Sequence, residues 1–291
     1  MPDIAGIGAN WVSVCPFGIM DKNSTDVIFN STINWFGDRD QGLKKSIAQA
    51  NRSGLKVCLK PQLYVKGMGW PGDYNPGKIL WPVWEENYTK YILFLAEIAE
   101  QEDVDMLMVG TECKSSIRLR PEYWTFLIDT VRSVYSGQLS YASNWDNYNN
   151  IPFWNQLDVI SIDAYFPLRK EKTPDTESIE IAWKPIIKKL DEFAKKYNKT
   201  ILFSEYGYRS TDNTAWQQWL IESRPVDEKI NLQAQLNAYQ GFYSAIWNRP
   251  WFAGGFIWKW YCLPNSGGIE NSDYTPQGKP VLSEIEKIYK Q

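Results

Sequence analysis

The stretch DMLMVGTEC, at residues 105–113, joins a run of apolar and small residues to a glutamate. Six further stretches along the chain are similar runs of apolar and small residues. They are NWVSVCPF (10–17), KVCLKPQLYV (56–65), LSYASNWD (139–146), VISIDAYF (159–166), TILFSEYGY (200–208) and FAGGFIWKWY (252–261). Nearly continuous apolar runs of this length are typical of strands buried on both faces of a parallel sheet. The sequence therefore predicts seven such strands.

Segments with helical periodicity separate these strands. The clearest begins at residue 182, and its apolar residues recur at steps of one, three and four. They are Trp183, Ile186, Ile187, Leu190, Phe193, Ala194 and Tyr197. Similar periodicity predicts helices over about 41–53, 84–102, 121–135, 231–247 and 280–290. Gly54 and Gly137 stand where a C-terminal cap would end two of these helices, one glycine for each helix.

Alternation of strands and helices predicts an α/β protein, and seven such units favour a (β/α)8 TIM barrel. We expect residues 1–291 to form one catalytic domain that lacks the first strand and most of the first helix of the barrel. A doubly wound open sheet is the structural alternative. No glycine-rich phosphate loop follows any predicted strand, and this disfavours the alternative.

Composition excludes several classes of function. The chain has no histidine, so it cannot use a Ser-His-Asp triad or a His-ligated metal. Its 31 basic and 34 acidic residues are scattered, which argues against a nucleic-acid-binding face. The four cysteines show no CxxC spacing, and we expect buried free thiols. No membrane-spanning run or export signal is visible, so the chain alone indicates the cytoplasm, although a signal upstream of Met1 would change that.

Two glutamates end predicted strands. Glu112 closes MLMVGTE and Glu205 closes ILFSE, 93 residues further on. In a barrel, the residues that follow the carboxyl ends of the strands build the active site. A facing pair of carboxyl groups is the requirement of glycoside hydrolysis, in which one group donates a proton and the other attacks or activates water. Spacing alone leaves the two roles open, and a buried structural acid is the alternative for each.

Aromatic and polar residues near strand ends favour a sugar ligand, because indole faces stack on pyranose rings while polar groups hold the hydroxyls. Ordinary core packing or structural hydrogen bonding is the alternative for each residue. Tyrosine and tryptophan also crowd residues 67–84. Tyr165 is expected to donate a hydrogen bond to the nucleophilic carboxylate. The candidate binding residues are Trp11, Lys60, Gln62, Asn144, Trp145, Asp163, Tyr165, Arg209, Trp258 and Trp260.

An ordered set of motifs resembles glycoside hydrolase family 113, whose members are retaining β-mannanases with a (β/α)8 fold. The motifs are GANWVSV, GLKVCLKPQ, VGTECKS, VYSGQLSYASNWD, PFWNQLDVISIDAYFP, ILFSEYGYRS, PWFAGGFIWKW and DYTPQGKP. The resemblance implies that Glu112 is the acid/base and that Glu205 is the nucleophile. The chemistry of two such carboxyl groups requires no metal or organic cofactor. It also implies that the strand at Asn10 is the second of eight. The family usually has a histidine where this chain has Gln62.

The implied substrate is a β-linked oligo- or polysaccharide, with mannan or manno-oligosaccharides first. Another β-1,4-glycan, such as glucan or xylan, is the nearest alternative, since only the contacts to hydroxyl groups choose the sugar. A noncatalytic glycan-binding protein is the alternative from another class. The preferred glycan, endo or exo action and the oligomeric state stay open at this point.

Overall fold

A computed structural model describes residues 1–217, 229–263 and 265–291. The chain forms two compact units. The first comprises Met1–Ala5 with Asn10–Ser161, and the second comprises Gly6–Ala9 with Ile162–Gln291.

The first unit alternates short strands with longer helices. After the single-turn helix α1 (Pro2–Gly6) at the start of the chain, its elements are β1 (Trp11–Val14), β2 (Phe17–Asp21), α2 (Asp40–Arg52), β3 (Lys56–Leu59), β4 (Gln62–Lys66), α3 (Trp81–Gln101), β5 (Met106–Thr111), α4 (Lys114–Leu119), α5 (Pro121–Arg132) and β6 (Gln138–Asn144). Strands β1, β3, β5 and β6 lie side by side in this order, all parallel. Val12 pairs with Val57, and Leu107 pairs with Leu139.

The second unit continues the alternation. Its elements are β7 (Ile160–Asp163), of which the last two residues lie in this unit, α6 (Thr176–Tyr197), β8 (Ile201–Tyr206), α7 (Leu232–Ile246), β9 (Phe252–Ile257) and α8 (Val281–Tyr289). Strands β7, β8 and β9 are neighbours in this order, and β8 and β9 are parallel. All seven predicted strands are therefore present, and the α/β class is confirmed.

Two predicted strands, 10–17 and 56–65, are each divided in the structure. Their second halves, β2 and β4, form a separate parallel two-stranded sheet. The division falls at Pro16 and Pro61, which have no N–H group to give to a sheet ladder. The sequence prediction of one continuous strand at each place was wrong for this reason. Helix α4, which begins two residues after Glu112, was not predicted either.

Burial follows the predicted pattern in the central strands. Every residue of β5 and β8 is buried, as expected for strands covered on both faces. Helix α6 buries the predicted stripe that includes Trp183, Ile187 and Leu190. Many aromatic rings pack in the core: Trp84 stacks on Tyr88 with ring centroids 4.8 Å apart, for example. Trp84 and Trp183 therefore have the core-packing role that was the alternative to sugar binding for each tryptophan.

Helix ends carry ordinary capping groups. The Asp175 carboxylate accepts a hydrogen bond from the Ser178 backbone N–H at the start of α6, and Asn198 ends that helix in a left-handed conformation. Gly54 follows α2 with a φ of 73°, which suits glycine, so the predicted cap is confirmed. Gly137 caps no helix, since α5 already ends at Arg132 with Ser133 as its cap.

The cysteines are free thiols, as predicted. Cys58 and Cys113 are buried, as expected, whereas Cys15 is half-buried and Cys262 is exposed, so full burial holds for two of the four cysteines. In the part of the chain that the structure describes, no helix combines the length and the apolar character that crossing a bilayer requires.

Candidate functional site

Glu112 immediately follows strand β5 in the first unit, at its carboxyl end. Its backbone has a φ of 52°, an uncommon left-handed conformation for a residue with a side chain. The Glu112 N–H donates to the Ala142 carbonyl at 2.9 Å, and its own carbonyl accepts from the Lys114 N–H at 2.8 Å. The Tyr141 hydroxyl accepts from the neighbouring Cys113 N–H at 2.7 Å. These bonds fix the turn that directs the glutamate side chain.

The Glu112 carboxyl group also has a side-chain partner. The indole Nε1–H of Trp70 donates to its Oε2 at 2.5 Å. Trp70 lies in the aromatic-rich segment 67–84 but was not singled out in the sequence, because that segment has no periodicity to single out any one ring. Both residues are half-buried, so the carboxyl group is partly accessible.

The sequence-predicted neighbours of Glu112 in the first unit follow adjacent strands. Asn144 ends β6, and its Oδ1 is buried and accepts no hydrogen bond from the described residues. Trp145 comes next and is half-buried. Lys60 follows β3 and is fully buried, and Gln62 opens β4 and is half-buried. The structure thus places Asn144, Trp145 and Lys60 at the carboxyl ends of strands, where the sequence predicted them, whereas Gln62 is the first residue of β4.

Trp11 occupies a different place. It is the first residue of β1 and pairs with Lys56, the first residue of β3. The Lys56 ammonium lies 5.4 Å from the centre of its ring. The amino ends of parallel strands lie at the edge of the sheet opposite to the carboxyl ends, so the structure does not bring Trp11 to the edge where Glu112 lies.

Glu205 lies near the carboxyl end of β8 in the second unit and is 9% exposed. The Tyr165 hydroxyl donates to its Oε2 at 2.8 Å, the hydrogen bond that the sequence predicted. The Glu205 carbonyl accepts from the Ala164 N–H at 2.7 Å. Burial, together with the nearby Glu205 charge, raises the pKa of Tyr165 well above its usual value. The tyrosine therefore keeps its proton and acts as a donor.

Two other predicted residues of the second unit are held by structural hydrogen bonds. Asp163 ends β7 and is 1% exposed. It accepts a hydrogen bond at 2.8 Å from the hydroxyl of Ser204, the residue that precedes Glu205. The Arg209 guanidinium donates to the Ser272 carbonyl at 3.2 Å. Arg209 therefore also ties the segment after β8 to a later loop.

The two remaining predicted residues follow β9. Trp258 and Trp260 are both half-buried, and the Trp258 N–H donates to the Tyr206 carbonyl at 2.8 Å. Lys259 lies between them, 3.2 Å from the Asp273 carboxylate and 5.1 Å from the centre of the Tyr261 ring. In residues 1–217, 229–263 and 265–291, no group of three or more cysteine or acidic side chains is arranged to hold a metal ion.

Lys279 is a buried charge that sequence reasoning missed, although the motif DYTPQGKP contains it. It is 4% exposed, and its Nζ donates to the Ser210 hydroxyl at 3.0 Å, the Asn271 side chain at 3.2 Å and the Asp273 carbonyl at 2.6 Å. Burial lowers the pKa of Lys279 to about 8, and Arg209 adds to this effect while Asp273 opposes it. The lysine joins the segment after β8 to the loop that carries Tyr274.

This pKa makes stability depend on pH. Between about pH 8 and 10.5 the folded protein has lost the Lys279 proton while the unfolded chain retains it, so the contribution of Lys279 to the free energy of unfolding rises with pH. The free energy of unfolding in urea should be measured for the wild type and for Lys279→Met. The wild-type value minus the variant value should increase by about 2 kcal/mol between pH 7.5 and 9.5. Lys188→Met, on the exposed face of α6, is the matched control. A difference that does not change with pH would contradict this origin.

Comparison with known proteins matches residues 1–279 to the model of glycoside hydrolase family 113. The chain belongs to glycoside hydrolase family 113. It is therefore a glycoside hydrolase, as its motifs predict, and a glycan is its class of substrate. The chain matches no curated protein sequence.

Solved structures agree with the family. A complex structure of a family 113 β-1,4-mannanase is 29% identical, with a TM-score of 0.86, over 99% of this chain and 90% of the other. The family 113 β-mannanase of Alicyclobacillus acidocaldarius, solved with ManMIm, is 23% identical with a TM-score of 0.85 and the same coverage. One chain from a structural study of two fungal β-1,4-galactanases is 15% identical, with a TM-score of 0.59 over 98% of this chain and 89% of the other, and it shares the fold alone. The α/β TIM-barrel class of this family 113 hydrolase is confirmed.

Proposed function

We propose that this family 113 hydrolase cleaves β-1,4-mannosidic bonds in mannan or manno-oligosaccharides by double displacement, with Glu205 as nucleophile and Glu112 as acid/base. The observation that carries the assignment is the hydrogen bond from Tyr165 to Glu205 at the carboxyl end of β8. A phenol that keeps its proton stabilises a carboxylate in its ionised form, which is the form that attacks. The mannan substrate is supported by the 29% identical β-1,4-mannanase of the same family.

In the first step, a Glu205 carboxylate oxygen attacks the anomeric carbon while the bond to the departing sugar oxygen breaks. Glu112 gives its proton to that oxygen and becomes ionised. The product is a covalent glycosyl ester of Glu205, and the departing chain leaves as a neutral alcohol. No charged leaving group has to enter solvent, so a poor leaving group such as a sugar hydroxyl can depart.

In the second step, the ionised Glu112 takes a proton from water, and the water oxygen attacks the anomeric carbon. The ester bond to Glu205 breaks, and Glu205 recovers its charge. Two inversions at one carbon give net retention of the β configuration. This chemistry requires the two carboxyl groups at one glycosidic bond, about 5 to 5.5 Å apart.

Asn144 supports the assignment of a sugar ligand. Its buried Oδ1 accepts no hydrogen bond from the residues that the structure describes, and such an atom carries a desolvation cost until it is satisfied. A sugar hydroxyl is a donor of the right kind, and β6, which Asn144 ends, pairs with β5, which Glu112 follows. We propose Asn144 as a hydroxyl contact that bound substrate completes.

Removing the Tyr165 hydroxyl tests its part in the mechanism. Tyr165→Phe leaves the ring and deletes the donor to Glu205, so we expect kcat on mannohexaose to fall about 10- to 100-fold. Tyr197→Phe, at the end of α6, is the matched control and should keep full activity. A Tyr165→Phe enzyme with unchanged kcat would remove the hydroxyl from the mechanism.

A panel of labelled oligosaccharides tests the substrate. The protein is incubated separately with β-1,4-linked mannohexaose, glucohexaose and xylohexaose, and products are separated by chromatography. We expect cleavage of mannohexaose with the highest kcat/KM. A higher kcat/KM for glucohexaose or xylohexaose would contradict mannan as the preferred substrate. Binding to any of the three without cleavage would indicate a noncatalytic glycan-binding protein.

A further inference from the structure

The partner of the Glu112 carboxyl group has a consequence for catalysis. The indole of Trp70 has a single N–H group and can only donate, and it donates to Oε2 at 2.5 Å. An N–H donor stabilises the ionised form of a carboxyl group more than the neutral form.

The Trp70 ring is held in place by the chain that follows it. Residues Pro71–Asp73 form one turn of 3-10 helix, and the Tyr74 hydroxyl then donates to the Ser24 carbonyl at 2.7 Å. Tyr74 is 4% exposed and packs against Trp81 and Trp84, with ring centroids 6.2 and 6.0 Å away. The turn after Trp70 is therefore anchored to the body of the first unit.

Gly72 makes room for the indole. A Cβ atom at this position would lie 2.2 Å from Cζ2 of the Trp70 ring and 2.3 Å from Cη2, far inside van der Waals contact. The ring thus lies directly against the Gly72 backbone. Any larger residue at position 72 must displace the indole, and this offers a way to move Trp70 without changing it.

We infer that Trp70 is a positioning residue for Glu112, held by Gly72 and Tyr74, which fixes the orientation of the acid/base carboxyl group and favours release of its proton. This inference rests on the proposed role of Glu112. Trp70 orients the proton donor in the first step and stabilises the carboxylate that remains. Without the indole N–H, the carboxyl group can rotate among several orientations, and misplacement of a catalytic group by about 1 Å is enough to cost about 10²-fold in rate.

The Trp70→Phe variant tests the inference kinetically. We expect kcat on mannohexaose to fall about 10- to 100-fold with KM changed less than about twofold, because the lost bond acts on the acid/base rather than on substrate binding. The basic limb of the kcat profile should move to higher pH, since the ionised form of the acid has lost a donor. Trp35→Phe, at an 85% exposed tryptophan of the same unit, should change neither.

Other titratable side chains lie on the elements next to Glu112 in the chain and in the sheet, so the pH readout is the difference between variant and wild type. They lie on the segment after β3, the 3-10 turn, the segment after β5, α4 and β6, and they are Lys60, Asp73, Cys113, Lys114, Arg118 and Tyr141. Their contributions are common to both proteins and cancel in that difference.

Gly72→Ala tests the same inference with the indole still present. We expect the same fall in kcat at nearly constant KM, and the same movement of the basic limb, because the new methyl group displaces the ring. Gly37→Ala is the matched control, since a Cβ there meets nothing within 4 Å. Wild-type kinetics in both Trp70→Phe and Gly72→Ala would overturn the inference.

A spectroscopic test does not depend on activity. In protein labelled with ¹⁵N at its indole groups, the Trp70 Nε1–H signal is assigned by its loss in Trp70→Phe. We expect this signal to shift as the wild-type protein is titrated and to lose that titration in Glu112→Gln. A signal that titrates identically in wild type and Glu112→Gln would overturn the inference even if both proteins are inactive. Lack of any glycan cleavage by the wild type, with the expected titration present, would instead overturn the proposed function alone.

Discussion

Replacing Glu205 with alanine is expected to lower kcat for mannohexaose cleavage by roughly 10⁴-fold or more. The variant has no carboxylate to attack the anomeric carbon, so the covalent intermediate cannot form. The side chain lies at the end of a fully buried strand and is 9% exposed, and alanine fits there without steric conflict. We therefore expect the variant to fold, and circular dichroism and thermal melting will check this. Chromatography of the reaction products measures the loss.

Addition of azide distinguishes a missing nucleophile from general damage. Azide is small enough to occupy the space of the deleted carboxyl group and to attack the anomeric carbon from the same face. With an activated aryl β-mannoside as substrate, Glu205→Ala should recover turnover in azide and form an α-mannosyl azide. Glu192→Ala, at an exposed glutamate of α6, should retain wild-type activity without azide. A Glu205→Ala protein that cleaves mannohexaose at the wild-type rate would exclude Glu205 as the nucleophile.

Replacing Glu112 with glutamine should have an effect that depends on the leaving group. Glutamine has nearly the same shape but cannot donate a proton to the departing oxygen, so we expect kcat for mannohexaose to fall about 10²- to 10⁴-fold. Departure of 2,4-dinitrophenolate needs no proton. The first step with a 2,4-dinitrophenyl β-mannoside should therefore proceed at nearly the wild-type rate, followed by slow hydrolysis of the intermediate. A burst of dinitrophenolate in stopped-flow absorbance measures this.

The control for Glu112→Gln is Glu97→Gln, at an exposed position on α3, which should behave as wild type with both substrates. Equal losses on mannohexaose and on the dinitrophenyl substrate would contradict an acid/base role. That result would assign Glu112 to a step that does not depend on the leaving group.

The strands that carry the two glutamates could be predicted because burial on both faces leaves a plain signal. Strands β5 and β8 are buried at every position, so each appears in the sequence as an uninterrupted apolar run that closes on a glutamate. The Tyr165 hydrogen bond to Glu205 was also predictable, because the tyrosine follows the end of the neighbouring strand. The apolar runs of these two strands thus located both candidate catalytic residues.

Features that depend on loops were not predictable from periodicity. Trp70 reaches Glu112 from a segment whose geometry depends on Gly72 and on the Tyr74 anchor, and neither leaves a periodic pattern. Strands β2 and β4 were missed because the apolar runs continue through Pro16 and Pro61 while the hydrogen-bonded ladder does not. Trp11 was grouped with strand-end residues because it is aromatic, yet it opens β1 at the amino end.

The configuration of the first product tests the central claim most directly. Mannohexaose is cleaved by the wild-type protein in an NMR tube, and the anomeric proton of the newly formed reducing end is followed before mutarotation mixes the two forms. Double displacement through Glu205 and Glu112 predicts that the β anomer appears first and the α anomer only later, at the rate of mutarotation. Initial formation of the α anomer would contradict the account, because a single inverting displacement would then be the reaction.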